Sequence, residues 1–525
     1  SFMTDFQYYQ ADAALGITDS VLDGENTGLN SYLNLIYLND KFEAGVRLES
    51  YLPPLQGYDV RYEGAGVAHR YAKLKLEDIE ITAGHFYEQF GNGLIMRSYQ
   101  EWSLGVDNAI DGIRVRYNPV KGVYLKGLAG VQRLYWDNWT PEDDRGIIKG
   151  FDAEIHVNDI VKKFSDAKTK VIAGASFVSK YQDDKHPIYK MPENVAAFAG
   201  RLFVMRGNLS VSGEYAYKIN DPSADNGNIY KPGDVLYLNA VYAIKGFAVN
   251  VAAKRIDNMS FRSDRAAGLS DLNINYLPAI SKQHVYALPA YYPYATQTNG
   301  EAGIAGGISY NIKKGSKVGG KYGTQLSVNY SRIHAIHKAP LDSLTPVGTS
   351  GTLGYKSEFF NIGDELYFED INIELYRKIN AKTKLKLGYS DITYNIAIIE
   401  GHAGEETVKA DVGYLDISYK LKTRQAIRLE LQYLATKQDE GDWMLGQLEY
   451  TNRNWFVSFI DTYNNGNHNP DLRLHYYSVS AGFIKKATRI AITYGRQSEG
   501  IVCVGGVCRQ VPAASGLALN LSTSF

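Results

Sequence analysis

The sequence predicts an all-β chain: a single large transmembrane antiparallel β-barrel of about 24 strands (range roughly 20–26), with short turns on one rim and long loops on the other. Three observations carry that prediction. Apolar and polar residues alternate with period two along the whole chain, as far as its end, Gly516-Leu-Ala-Leu-Asn-Leu-Ser-Thr-Ser-Phe525. The connections between alternating segments fall into a short class and a long class that take turns. The composition couples 41 Tyr and 50 Gly to only 2 Cys, with a mean hydropathy typical of soluble proteins. A barrel explains this combination, because each lipid-facing residue is diluted by a lumen-facing polar one.

Taken in order, the clearest strands assign their own faces. Phe42, Ala44, Val46 and Leu48 oppose Glu43, Gly45, Arg47 and Glu49. Leu209, Val211, Gly213, Tyr215 and Tyr217 oppose Ser210, Ser212, Glu214 and Lys218. Leu385, Leu387 and Tyr389 oppose Lys384, Lys386 and Ser390, and Ile427, Leu429, Leu431 and Tyr433 oppose Arg428, Glu430 and Gln432. Helical spacing would scatter these apolar residues round a cylinder. A slip of phase from Val408, Ala410 and Val412 to Leu415, Ile417 and Tyr419 predicts a β-bulge. In the closing strand Leu517, Leu519, Leu521, Thr523 and Phe525 share one face and Ala518, Asn520, Ser522 and Ser524 the other. Tyr37, Tyr117, Tyr217, Tyr433 and Tyr494 sit near the ends of apolar faces, where an aromatic girdle meets lipid head groups. Tyr is also simply a good strand former.

The short connections are Asn39-Asp40, Glu77-Asp78, Asn118–Gly122, Arg206–Asn208, Lys245-Gly246, Ile379–Lys382, Lys422–Arg424, Asn452–Asn454 and Lys485-Lys486. The long ones are approximately 13–28, 52–64, 88–110, 136–146, 220–231, 261–296, 335–363, 397–406 and 500–513. A transmembrane barrel sorts its loops in this way, with tight periplasmic turns and long extracellular loops, whereas a sandwich or propeller has no reason to. A periplasmic C-terminus then puts the N-terminus on the same side.

A soluble chain of 525 residues would usually divide into roughly two to four domains. No linker or shift in charge divides this one, so residues 1–525 are expected to form one barrel domain without a separate plug or periplasmic domain. No apolar run approaches the roughly 18 residues of a membrane helix. A net charge of -1 leaves no basic excess for nucleic acid. Strand patterning starts near Ser1, which reads as a mature form whose export signal has been removed.

The inferred lumen faces hold Glu43, Arg47, Glu49, Lys73, Lys75, Glu80, Arg114, Arg116, Lys126, Glu374, Arg428 and Glu430. Both signs are present, which predicts a hydrated interior without strong ion preference. Barrels of about 16–18 strands already hold open water channels, so a larger one must be narrowed. The segments suited to folding inward are Phe86-Tyr-Glu-Gln-Phe-Gly-Asn-Gly-Leu-Ile-Met-Arg97 with its continuation to Ala109, and 261–296 with Tyr291-Tyr-Pro-Tyr294. Arg97, Trp102, Tyr291, Tyr292 and Tyr294 are the candidate constriction or interface residues. The Tyr cluster suits stacking on sugars or, as the preferred reading, packing against the barrel wall or a partner.

Cys503-Val-Gly-Gly-Val-Cys508 reads as a structural disulfide closing a small loop, since a metal site needs further ligands and a redox pair usually has two intervening residues. His334 and His337 form an H-x-x-H that lacks the flanking pattern of a zinc site. Asn464-Asn-Gly-Asn-His-Asn-Pro-Asp471 is oxygen-rich but lacks EF-hand spacing and reads as a surface turn. Nothing local marks a nucleophile. The expectation is therefore no catalytic, cofactor or metal site, and no enzyme.

Three stretches, Leu48-Glu-Ser-Tyr-Leu-Pro-Pro-Leu-Gln-Gly57, Phe86–Arg97, and Gly506-Val-Cys-Arg-Gln-Val-Pro-Ala-Ala-Ser-Gly516 running into the closing strand, resemble an uncharacterised family of outer-membrane β-barrel proteins from Bacteroidota. The closing strand looks like that of bacterial outer-membrane barrels, whose terminal aromatic is part of the signal read by the insertion machinery. That makes Phe525 the candidate signal. The resemblance implies the outer membrane as location, with the lipid bilayer and the insertion machinery as partners, and implies no activity. Two readings of function follow. The favoured one is a porin-like channel or transporter, its lumen narrowed by inward-folded loops. The alternative is a non-catalytic scaffold or accessory barrel subunit of an outer-membrane machine for protein insertion, secretion or surface display, with other outer-membrane or surface proteins as partners. A barrel enzyme comes third.

Overall fold

A period-two chain with one apolar face must bury its backbone polar groups in a ladder and its apolar face away from water, and a closed sheet in lipid does both. The computed structural model describes residues 1–525 except 23, 138, 139, 141 and 142, which fall within the expected long loops 13–28 and 136–146. Among the described residues, 24 strands close one antiparallel barrel. In order they are Phe2–Tyr9, Thr27–Leu38, Phe42–Tyr51, Gly64–Lys75, Ile79–Phe86, Ile110–Tyr117, Val123–Gln132, Ile147–His156, Thr169–Tyr181, Asn194–Arg206, Leu209–Lys218, Gly233–Ile244, Phe247–Asp257, Glu301–Ile312, Thr324–Ile336, Ile362–Lys378, Thr383–Tyr394, Val408–Lys422, Gln425–Thr436, Trp443–Asn452, Trp455–Asn464, His475–Lys485, Thr488–Gln497 and Ala514–Thr523. Each pairs with the next. The last pairs with the first, from Phe2 opposite Thr523 to Tyr9 opposite Gly516, which removes the free edges.

The faces follow the alternation. Leu429, Leu431 and Tyr433 are exposed on the outside while Glu430 and Gln432 are buried inside, and Val46 and Leu48 likewise flank a buried Arg47. An apolar exterior of this extent would aggregate in water; in a bilayer it is the lipid contact. Exposed aromatic residues ring both ends of it: Tyr37, Tyr117, Tyr242, Tyr450 and Trp455 on the turn side, Tyr8, Tyr217, Tyr433, Tyr477 and Tyr494 on the loop side. Among the described residues no helix is long and apolar enough to cross a membrane.

Short turns and long loops alternate with three departures from strict sorting. On the turn rim, 157–168 is drawn out by the helix Val157–Ile160, and 313–323 is also extended; on the loop rim, 437–442 is short. The predicted bulge between Val412 and Leu415 does not exist. Pairing runs without a break from Val408 opposite Tyr394 to Tyr419 opposite Thr383, and the register shift of that strand lies at Lys420–Lys422. What changes along this strand is its surroundings. Val408, Ala410 and Val412 point inward into an apolar core, whereas Leu415, Ile417 and Tyr419 lie on the opposite, lipid-facing side.

Candidate functional site

The apolar inward faces at the loop end of the strands exist because the barrel is filled there. The segments 87–109 and 258–300 fold inward from the loop rim, and each carries large apolar side chains whose burial is worth about 1.5–3 kcal/mol apiece. Phe90, Leu94, Ile95, Met96, Met259, Phe261, Ile274 and Leu277 are buried against inward-facing Leu128, Ile148, Val178, Val195, Ala216, Val235 and Ile256. Further along the second segment, Leu288, Tyr292 and Tyr294 are buried against Ile333, Phe368, Ile392, Val412, Leu434 and Trp443. The two segments bond to each other: the Arg97 amide donates to the Ile274 carbonyl at 2.8 Å and the Tyr276 amide to the Gly93 carbonyl at 2.9 Å. Gly91 (φ 51°) lets the first segment approach the wall, since a Cβ there would lie 2.5 Å from the Glu214 carboxylate. That carboxylate accepts from the Asn92 amide at 2.7 Å.

Charges anchor this plug. Asp107 is bonded to Arg47 and, at 2.6 Å, to Arg133, while wholly buried Glu49 pairs with Arg47 at 2.6 Å and Arg133 at 2.7 Å. Glu88 pairs with Arg116 at 2.8 Å, Lys126 at 3.2 Å and Arg114 at 3.6 Å. Burial raises the Glu88 carboxyl, but Lys126 and Arg116 outweigh it and hold the group below the ordinary range. Asp107 is likewise depressed, because Arg133 and Arg47 overcome its burial. Across the barrel, Lys282 bonds Glu374 at 2.5 Å, His284 bonds Asp370 at 2.9 Å and the Tyr286 hydroxyl donates to Asp416 at 3.1 Å.

A two-stranded hairpin, Gly500–Val504 with Val507–Val511, closes over the plug, and the disulfide Cys503–Cys508 ties it just before its tip. At the tip the Gly505 carbonyl accepts from the Tyr276 hydroxyl at 2.8 Å, and the Gly506 carbonyl accepts from the Thr296 amide at 3.1 Å. A cavity of about 300 Å³ lies against the wall formed by the last strands and the first.

A family model described as "Family of unknown function (DUF6029)" matches residues 1–525. The chain belongs to the DUF6029 family. No curated protein matches it. Among solved structures, it is similar to the P pilus usher (PapC) translocation pore, at 9% identity over 99% of this chain and 98% of that one, with a TM-score of 0.45. It is also similar to the siderophore receptor PirA from Pseudomonas aeruginosa, at 10% identity over 100% and 79% of the two chains, TM-score 0.39. The outer membrane protein opdK from Pseudomonas aeruginosa matches at 11% identity over 88% and 99%, TM-score 0.37.

In the DUF6029 barrel the sequence-selected charges all face inward, and they stand in pairs rather than free in water. Glu43 accepts from Lys73 at 2.9 Å and Lys75 at 2.7 Å. Arg114 donates to Glu80 at 2.8 Å, Lys386 lies 3.2 Å from Glu374, and Arg428 bonds Asp416 at 3.0 Å and also Glu430. Arg97 lies over the Tyr276 ring at 3.9 Å, and the Trp102 ring sits 3.7 Å from that of Tyr32. Tyr291 meets Trp443 edge-on at 5.2 Å; the Tyr292 hydroxyl donates to Asp439 at 3.0 Å, and that of Tyr294 to Glu301 at 2.5 Å. The Tyr cluster is thus packed on the wall. His334 accepts from Arg332 at 2.8 Å, and Asn464, Asn467 and Asn469 each accept a backbone amide two or three residues on, as surface turns do. Sequence reasoning missed Asp107, Glu88, Arg133, Lys282 and the inward apolar residues. The signal for the last was present in Val195, Ala197, Ala216 and Val235, where apolar residues occupy the polar phase near a loop end.

Proposed function

We propose that this DUF6029 protein is a non-catalytic, porin-like channel of the bacterial outer membrane whose lumen is narrowed to a small conduit by two of its own loops. The observation that carries the reading is the plug: it is covalently part of the barrel and is built from the loop rim, so it narrows the lumen without a separate domain. In this reading the turn rim and both termini are periplasmic and the long loops extracellular. Phe525 is 85% exposed at the turn rim. The resemblance to Bacteroidota barrels supports that group as host.

The test is conductance of the purified protein in planar bilayers. The wild type is expected to give small, steady steps, and replacing 262–296 by a short Gly/Ser linker is expected to raise them on the order of tenfold, since an unplugged barrel of this size is a wide pore. Silence from both proteins would overturn the channel. The scaffold reading has one observation of its own: on the loop rim Leu344 and Phe360 are each 90% exposed, an apolar surface suited to another protein. Stoichiometric partners retained at high salt, with no conductance, would favour it.

A further inference from the structure

On the lipid-facing side of the barrel, one loop folds back over the wall. Pairing aligns Tyr215, Leu236, Arg255, Ala302 and His334 in a row across five strands, and Leu238, Ala253, Ile304 and Arg332 in the next row toward the turns. This is the outer phase: Leu238 and Ile304 are exposed, whereas Val235 and Ile256, in the other phase, are buried against the plug. Within their strands Arg255, Ile304 and Arg332 lie as far from the turn end as the girdle residue Tyr217 does in its own. The segment 337–361 crosses outside them. Its Tyr355 hydroxyl donates to Asp257 at 2.6 Å and Ser357 bonds the same carboxylate. The Phe359 ring lies 4.6 Å from the Arg255 guanidinium and 6.4 Å from the Tyr215 ring. Between the end of this segment and the wall is a cavity of about 470 Å³, whose apolar lining includes Leu238, Ala253, Ile304, Phe359, Phe360 and Ile362. The charges that line it are matched already: Arg255 pairs with Asp234 at 2.5 Å and Asp257 at 3.2 Å, and Arg332 with Glu369 at 3.3 Å. The Lys254 ammonium is turned to the lumen side, where it meets Glu301 at 2.7 Å.

Resting on the orientation proposed above, we infer that this cavity is a lipid site, which takes an acyl chain of an outer-leaflet lipid with the head group at the level of the loop-side girdle. An apolar cavity offers water no hydrogen-bond partners, so water does not fill it. It continues the outer surface that already meets the bilayer, and the material at hand on that surface is hydrocarbon. Its volume is within the range of ligand sites. Phe360, 90% exposed and edge-on to Phe359 at 5.0 Å, extends the same apolar contact beyond the cavity. Because Arg255 and Arg332 have carboxylate partners, apolar volume selects the ligand and head-group charge does not.

The test is native mass spectrometry of the protein extracted in mild detergent from vesicles of phosphatidylethanolamine and phosphatidylglycerol. The wild type is expected to retain a single lipid, with either head group in proportion to its abundance. Ala253→Trp, which fills the cavity from the wall, is expected to lose that lipid, whereas Leu431→Trp, on the exposed outer face of a distant strand, keeps it. Heat-modifiable migration on a gel shows that each barrel is closed. Phe360→Trp supplies a second measurement should Ala253→Trp not fold: in vesicles whose acyl chains carry bromine, the fluorescence it adds to that of the wild type is expected to be quenched by the lipid and spared by aqueous iodide. Equal lipid retention by Ala253→Trp and the wild type, retention of phosphatidylglycerol alone, quenching of the added tryptophan by iodide and not by bromine, or a bound protein shielding it from both, would overturn the site. None of these readouts depends on conduction, so the lipid site and the channel reading fail separately.

Discussion

Asp107 stands between two guanidinium groups, Arg47 and Arg133, and all three side chains are almost wholly buried. Two buried cations and one buried anion would be unfavourable alone; Glu49 supplies the second negative charge and closes the network. Asp107→Asn is therefore expected to destabilise the plug by about 3–5 kcal/mol, because it leaves a buried cation uncompensated. Limited proteolysis should cut within 87–109 in the variant and spare the wild type. The pH dependence has a definite sign. The carboxyls of Asp107 and Glu88 are held below their ordinary values of 3.8 and 4.5, so the stability they contribute is complete above about pH 4.5 and is lost as the pH falls through their depressed folded values. Single-channel recordings are expected to stay steady from neutral pH down to about 4.5 and to show large, flickering openings only below it. Openings that grow instead as the pH rises would contradict the anchoring role of these groups.

The hairpin Gly500–Val511 is the element on which the plug's position turns. Its two tip carbonyls hold Tyr276 and Thr296, one on each side of the 258–300 segment's turn, and its base is strand Ala514–Thr523 of the barrel itself. Reduction, or the double variant Cys503→Ser, Cys508→Ser, is expected to leave the barrel intact on a heated gel while raising mean conductance and protease cutting in 500–511. Loss of the barrel on reduction would contradict this division of labour. The same element shows what the sequence could convey. Two near cysteines around Gly505-Gly506 revealed the covalent tie, but not that its tip points inward, since that depends on Tyr276 and Thr296, more than 200 residues earlier. Strands were legible because a lipid-facing side chain every second residue is a local rule. The plug was legible only as long loops. Its partner surfaces, Val408, Ala410 and Val412 among them, broke the local rule for a tertiary reason and imitated a bulge. The charges on the lumen face were readable one by one, and their pairing was not, because Glu88 and Lys282 lie in loops with no periodicity to place them.

At the scale of the whole molecule, the barrel and its plug are held together by different forces. The wall is a closed ladder whose backbone groups have no alternative partner in lipid, so opening one strand costs several hydrogen bonds at once. The plug is held by buried apolar area and ion pairs, both of which aqueous denaturants weaken by solvating apolar and peptide groups. Denaturant reaches it directly, because the plug is built from the loop rim. Unfolding in lipid vesicles is therefore expected to occur in two steps. Moderate urea should release 87–109 and 258–300 first, read as a rise in conductance and exposure of Trp102 to aqueous quenchers, with the strand signal in circular dichroism unchanged. The strand signal should fail only at much higher denaturant. Phe261→Ala, which empties a wholly buried site in the plug at a cost of about 3–5 kcal/mol, should move the first step to lower urea and leave the second in place. A single transition, shifted as a whole by that substitution, would mean that the plug is an integral part of the wall's stability, and a channel regulated by plug movement would then be excluded.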